Sequence, residues 1–322
     1  MPAVSLLPGD LGRQSLESVK DDYFVPLDRR ESDYERLELQ HQIWKILMKG
    51  PCPVSDTELD ELLRPQESNP SPAVLDIGCG SGIWCFEIVK MYPDSEIVGM
   101  DITPCSLTES GSDKVRFIQN NLLDGPGLQK FHGKFDVVHC RTVLIHVGSD
   151  QQVWVIQEIL RCLRPGGLVI LSDWDETVLD QHGTRLLPAK DGEEFNARTS
   201  WLARLWNEFF PREDFQNLLR HKIHDVLQNS PLIDPNTLRT ALYDIPVGWE
   251  GENIENGKIL GDMIRHDIMA AFRKVQPKLQ ERGVPDNVFQ TWIEGLDAET
   301  SATNQKVITR FHSTWARAVR SG

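Results

Sequence analysis

AVLDIGCGSGIWCFEIVKMYPDSEIVGMD, residues 73–101, decides how the rest of the chain is read. An apolar run, Ala73–Ile77, enters a glycine loop. A helical pattern follows over Trp84–Met91, and a second apolar run, Glu96–Met100, ends on Asp101. Short apolar runs bounded by turn residues and separated by a helical period predict a βαβ unit. Asp76, Gly78, Gly80 and Gly82 spell D-x-G-x-G-x-G where the first strand ends. Glycine there lets the backbone turn tightly and lets a ligand lie against the main chain. A carboxylate about twenty residues further on, closing the second strand, is placed to accept hydrogen bonds from ribose hydroxyls. Loop and acid together predict a nucleoside ligand.

The loop is not that of a dinucleotide fold. Ile83 stands where G-x-G-x-x-G has its last glycine, and no Gly-Lys-Ser/Thr follows to make a phosphate-binding loop. Asp76, just before the loop, sits badly beside a pyrophosphate. It suits the cationic amino-acid end of S-adenosylmethionine (SAM).

Outward from this unit, further strands are expected at Val115–Gln119, Phe135–Cys140 and Gly167–Ser172, with a short piece near Ser106 and a helix over Gln151–Leu163 that stops at a glycine pair. Strands alternating with helices predict a parallel sheet covered on both faces. Upstream, Asp33–Lys49 has Leu39, Ile43, Ile46 and Leu47 on one helical face, and a proline-bearing polar linker separates it from Ala73. Downstream the expectation is a helix at 200–210, a strand over Thr237–Ile245, a long helix Lys258–Arg282, another at Asn287–Leu296, and a last strand within 306–319. Trp201, Trp206, Phe209 and Phe210 either wall a pocket or fill core.

The chain has 322 residues and a formal charge of −14. Phosphate backbones repel such a chain, so no nucleic-acid partner is expected. No apolar stretch is long enough to cross a membrane, and no basic segment followed by an apolar core marks a secretory signal. The six cysteines lack metal-ligand spacing and read as reduced thiols. A cytoplasmic protein is expected, with the nucleus open.

VLDIGCGSG, GMDITP, FDVVHCRTVLIHV and LRCLRPGG resemble, in order, the motifs of class I SAM-dependent methyltransferases. YFVPLDRRESDYERLELQHQIW (23–44), GCGSGIW, IPVGWE (245–250) and the tail FHSTWARAV are similar to the fungal LaeA-like methyltransferases, which serve mainly secondary metabolism and include regulators. The resemblance implies an α/β, Rossmann-like seven-stranded sheet with an N-terminal helical lid and a C-terminal helical cap. It divides the chain into a flexible arm (1–22), a lid (23–66) and the catalytic domain (67–322), with the cap within about 176–300.

The same resemblance implies cofactor contacts from Tyr23, Asp76, Gly78, Cys79, Gly80, Trp84, Asp101 with the ribose, Ile102 on the adenine, Asn121 (or Asn120) at the adenine amino group, Leu122, Cys140 and Arg141. His146, after the fourth strand, is the candidate base or substrate orienter. Tyr23, His41, His146, Asp173, Trp174 and Trp249 are candidate acceptor contacts. His139 reads as a satisfied core group, and no metal is expected. The implied activity is methyl transfer to a small-molecule acceptor, oxygen slightly favoured. The rivals are a LaeA-type regulator with a protein partner and a SAM-binding enzyme of pericyclic, non-methylating chemistry.

Overall fold

A computed structural model describes residues 31–105, 113–124, 127–192, 196–209, 218–301 and 306–320. The expectations for Tyr23, for the arm 1–22, for the piece near Ser106 and for Phe210 lie outside these residues.

Five strands, β1 (Ala73–Ile77), β2 (Glu96–Asp101), β3 (Val115–Gln119), β4 (Phe135–Arg141) and β5 (Leu163–Asp180), pair in parallel. A small two-stranded ribbon, β6 (Leu187–Pro188) with β7 (Thr199–Ser200), follows. The main sheet is completed by β8 (Arg239–Pro246) and β9 (Val307–Arg317) in the order β3-β2-β1-β4-β5-β9-β8, with β9 antiparallel to both neighbours. This is a Rossmann-like, seven-stranded α/β sheet. The chain first runs outward, β1 to β2 to β3, then returns to start again at β4. Loops after β1 and β4 therefore diverge and leave a crevice at the carboxyl edge, where such sheets take ligands.

The helices are α1 (Glu31–Met48), α2 (Asp56–Leu63), α3 (Ile83–Met91), α4 (Gln152–Arg161), α5 (Trp201–Phe209), α6 (Leu219–Asn229), α7 (Gly257–Lys274), α8 (Gln276–Glu281) and α9 (Asp286–Ser301). Every residue of β1 is buried, as a strand covered on both faces must be. Alternation along it then divides the core. Leu75 and Ile77 join the larger cluster with α1, α4, α5 and α7, while Val74 joins the smaller one with α2 and α3. Trp44 of α1 is fully buried against Phe311 of β9, ring centroids 4.6 Å apart, so α1 packs on the sheet itself.

Two elements differ from the sequence expectation. The fifth strand extends well past Ser172, because β9 pairs with it as far as Asp180↔Val307, across an irregularity between Asp175 and Val178. The single helix expected over Lys258–Arg282 divides at Val275. Pro277 has no N–H to continue the ladder and instead sits in the first turn of α8.

Candidate functional site

The glycine loop is built for close approach. Gly78, Gly80 and Gly82 all have positive φ, +70°, +60° and +84°. A Cβ at Gly78 would lie 2.1 Å from Val143 Cγ2, so the side chain of Val143, in the segment after β4, packs directly on the glycine backbone. The N–H groups of Gly78 and Cys79 donate to Met100 O at 2.7 and 3.0 Å, and Gly80 N–H donates to Asp101 Oδ2 at 2.9 Å. Asp101 Oδ1 accepts from the N–H and hydroxyl of Thr103, both at 2.9 Å. The acid thus fixes the loop on one side and its own following turn on the other.

Below the loop, Asp76 and His139 are paired across β1 and β4 and face the same way. His139 Nδ1 lies 2.7 Å from Asp76 Oδ1, and Cys85 Sγ donates to Asp76 Oδ2 at 3.3 Å. The imidazole stacks on Trp84 with centroids 4.0 Å apart and planes 10° apart, while Trp84 Nε1 donates to Pro51 O at 2.9 Å. Burial lowers the His139 pKa against the opposing pull of Asp76, so the ring is neutral at physiological pH. A neutral ring that donates from Nδ1 carries a lone pair on Nε2.

Arg141 extends from the same face of β4 into the cleft. Its Nη2 lies 3.0 Å from His41 Nδ1, and His41 Nε2 lies 2.8 Å from Glu87 Oε2, with Lys45 paired to the other Glu87 oxygen. Arginine only donates, so His41 must accept at Nδ1 and donate from Nε2. Burial first, and Arg141 next, push the His41 pKa down to about 4, which keeps the ring neutral. Burial lowers the Arg141 pKa to about 10, so the guanidinium stays charged. Its Nη1 is buried and has no hydrogen-bond partner among the described residues.

The opposite wall is aromatic. Trp174, Trp206, Phe209 and Phe272 line it, with Trp206 5.0 Å from Trp174 and 5.4 Å from Phe272 between ring centroids. The mouth is charged. Lys274 pairs with Asp33, and the fully buried Asp267 accepts from Gln40 at 3.0 Å with Arg36 at 3.5 Å, which ties α1 to α7 over the cleft. His146 sits on a short turn, Leu144–His146, between this cleft and an adjoining hollow. Burial, then Arg36 and Lys278, lower its pKa to about 4.

The structure brings Asp76, Gly78, Cys79, Gly80, Trp84, Asp101, Arg141, His146 and Trp174 together around one cleft. Ile102, Asn121 and Leu122 line the adjoining hollow, together with Asn120. Asn121 is already engaged: Oδ1 accepts Leu123 N–H at 3.0 Å and Nδ2 donates to Asp124 at 3.1 Å.

Four expected residues stand off the cleft wall. Cys140 points into the larger core cluster, because alternation along β4 turns it away from His139 and Arg141. His41 stands behind Arg141 rather than against an acceptor. Asp173 accepts from Ile145 N–H at 3.1 Å and from Trp174 N–H at 2.9 Å, so it holds the turn that carries His146. Trp249 donates to Val307 O at 2.8 Å and packs under Lys306 at 5.0 Å. His139, read from sequence as satisfied core, lines the cleft instead, with Nε2 lacking a partner among the described residues. The alternation that places Arg141 was the signal that could have found it.

A family model described as "Methyltransferase domain" matches residues 68–203. The chain is 33% identical over 184 residues to "Secondary metabolism regulator laeA" of Coprinopsis cinerea, covering 57% of this chain and 41% of that protein. It is 32% identical over 152 residues to "Methyltransferase str3" of Strobilurus tenacellus, covering 47% and 48%. It is 27% identical over 144 residues to "Secondary metabolism regulator LAE1" of Cochliobolus heterostrophus, covering 45% and 43%. The chain spans less than half the length of each of these relatives. A methyltransferase-domain model thus matches the segment that holds the glycine loop, within a sheet of this strand order, and the same region is similar in sequence to LaeA-like proteins.

Proposed function

We propose that the chain transfers a methyl group from SAM to a small acceptor of secondary metabolism, with an oxygen acceptor favoured over nitrogen or sulfur. The observation that carries this reading is the juxtaposition, in one cleft, of a glycine loop in left-handed backbone conformation, the Arg141 guanidinium with Nη1 unpartnered among the described residues, and an aromatic wall.

The residues present fit the cofactor. Arg141 Nη1 offers a charged donor to a carboxylate, and such charge-assisted bonds are the strong ones. Asp101 closes β2 where a ribose would lie, and the adjoining hollow of Ile102, Leu122, Val143 and Val147 gives an adenine apolar walls with two amides at hand. SAM, when bound, supplies a methyl group on a sulfonium. The chain's own part is to hold the acceptor in line and exclude water, effects that reach about 7–11 kcal/mol in favourable intramolecular models. Trp174, Trp206 and Phe272 favour a flat, largely apolar acceptor. His146 is neutral at physiological pH and so is able to accept a hydrogen bond from an acceptor hydroxyl. A pKa near 4 makes it a weak base, which favours orientation over full proton abstraction.

Calorimetric titration of the purified chain with SAM and S-adenosylhomocysteine, beside Asp101→Ala, tests the cofactor half. Micromolar binding that is lost in the variant supports it, and no binding to folded wild-type protein overturns it. Release of S-adenosylhomocysteine on adding metabolite extracts tests the transfer half. A second reading, a regulator that acts through a protein partner, is favoured by the naming of two relatives as secondary metabolism regulators. Capture of a specific protein partner, with no turnover on any extract, supports that reading instead.

A further inference from the structure

We infer that a hollow at the amino ends of β1, β2 and β3, on the edge of the sheet opposite the glycine loop, is a binding site for a small organic anion with an apolar body and a phosphate or carboxylate head. No residue of this hollow lines the cleft, so it stands apart from the cofactor site.

The hollow follows from the way the chain crosses from β3 to β4. A parallel sheet is covered on both faces, and the crossover that returns the chain is usually the helix that covers it. Residues 120–134 make this crossover, and their described part contains only a 3₁₀ turn, Gln129–Phe131. The turn reaches the sheet through Phe131, which is buried with its ring centroid 5.8 Å from that of Phe135. It is too short to roof the strands beside it. Alternation puts Ala73, Val98 and Ile118 on one face of three neighbouring strands, with Ala73 paired to Glu96 and Val98 to Arg116. These side chains floor a hollow of about 450 Å³, a volume within the range of small-molecule sites.

The rim is basic. Arg116 of β3, Lys130 of the turn, Lys134 before β4 and Arg164 of β5 line it, against one carboxylate, Glu96. That balance runs opposite to a chain with 48 acidic and 34 basic residues. Arg164 is engaged: it donates to Asp136 at 2.7 Å and to Asn69 at 3.3 Å. Glu96 accepts from Ser71 at 3.3 Å. Arg116, Lys130 and Lys134 are exposed, and no hydrogen bond or ion pair holds their side chains among the described residues. The Lys130 ammonium lies 5.0 Å from the Phe131 ring centroid, which keeps its charge beside the hollow.

Like charges gathered without a counter-charge repel one another, and an anion among them relieves the repulsion. Arginine and lysine both bind phosphate and carboxylate through charge-assisted hydrogen bonds. The apolar floor adds contact for a body that follows the head into the hollow. Rim and floor together therefore define the ligand class. A nucleic acid is disfavoured, because the chain as a whole carries a formal charge of −14.

Calorimetric titration of the full chain with octyl phosphate, inorganic phosphate and octyl glucoside tests this. Octyl phosphate is expected to bind at least about tenfold more tightly than either of the others, since phosphate lacks the body and the glucoside lacks the charge. Its affinity is expected to fall as salt rises. In the double variant Lys130→Glu/Lys134→Glu the affinity is expected to drop at least about tenfold with the melting temperature kept, because both side chains are exposed. If the double variant melts early, Arg116→Glu carries the same comparison. Trp206→Ala, which alters the aromatic wall of the cleft, is expected to leave octyl phosphate affinity within about twofold. No binding to the wild type overturns the inference, as does binding that survives the charge reversals. Binding lost in Trp206→Ala places the ligand in the cleft and overturns it too. The same head group also occurs on a membrane surface, and co-sedimentation with vesicles of equal phosphatidylcholine and phosphatidylserine separates the two sources. The chain is expected to stay in the supernatant, and pelleting that depends on Lys130 and Lys134 overturns the small-ligand site in favour of a lipid surface.

Discussion

Arg141 Nη2 lies 3.0 Å from His41 Nδ1, and this one contact joins helix α1 to the floor of the cleft. Glu87 on α3 fixes the other side of the His41 ring. A residue of the N-terminal helix, read from sequence as an acceptor contact, is in fact what aims a guanidinium from the fourth strand. The helix therefore contributes to the site through a buried relay as well as through its cleft-lining residues Asp33, Arg36 and Gln40.

Replacing Arg141 by Met is expected to weaken SAM and S-adenosylhomocysteine by about ten- to a hundredfold, the range for losing a hydrogen bond to a charged group. His41→Leu leaves Arg141 charged but unaimed. Its expected effect on affinity is smaller, with a lower melting temperature because a second guanidinium nitrogen then loses its partner. Titration calorimetry and thermal melts on the two variants separate the roles. Equal affinity losses with unchanged melting would show that His41 touches the ligand after all.

Gly78→Ala should damage both fold and site. Its φ of +70° costs a side-chain-bearing residue about 1–2 kcal/mol, and the new Cβ would meet Val143 Cγ2 at 2.1 Å, an overpacking cost of about 1–3 kcal/mol more. Adding Val143→Ala removes the clash but not the backbone strain. Urea denaturation of the double variant is therefore expected to recover part of the lost stability, and full recovery would show that strain at Gly78 is negligible.

Acid should unfold the protein early. His41, His146 and His312 have folded-state pKa values near 4, each driven down first by burial, against about 6.5 in an unfolded chain. Between these values the unfolded state binds more protons than the folded one, so stability rises with pH there. The contribution is fully present above about pH 6.5 and is lost as pH falls toward 4. Urea midpoints measured from pH 7.5 down to 5 are expected to fall steadily.

His312 offers a cleaner version of the same experiment. It is fully buried, and neither ring nitrogen has a hydrogen-bond partner among the described residues. His312→Leu removes that desolvation cost at similar volume. The variant is expected to be at least as stable as wild type at pH 7 and to show a shallower fall with acid. A destabilised variant would mean that the imidazole has a bound water or another partner.

Trp206 tests the aromatic wall without touching the cofactor side. Trp206→Ala is expected to leave S-adenosylhomocysteine affinity within about twofold while lowering kcat/KM for a flat acceptor by about ten- to a hundredfold, the scale of losing one aromatic contact face. An unchanged kcat/KM would place the acceptor elsewhere.

Much of this was legible in residues 73–101 and the strands that follow. A glycine run after a short, mostly apolar strand, with an acid closing the next strand, fixes a βαβ unit and its turn by local sterics alone. The short strands β1 to β4 announce themselves in the same way, through apolar composition and bounding turn residues. Where local pattern weakens, tertiary pairing takes over. The fifth strand, expected to end at Ser172, continues through Asp173, Asp175 and Asp180 because β9 reaches back from the far end of the chain to pair with it.

The site divides along the same line. The sequence by itself determined where a glycine loop would turn back and which acid would stand beside it, because glycine torsions and strand ends are properties of neighbouring residues. Only the tertiary structure decided which side chains face the cleft. It set His139 against Asp76, turned Cys140 into the core, placed His41 behind Arg141, and put Asp173 under the His146 turn. Each of those outcomes depends on pairing between elements far apart in the chain, where burial and hydrogen-bond satisfaction are settled between strands and helices and not within them.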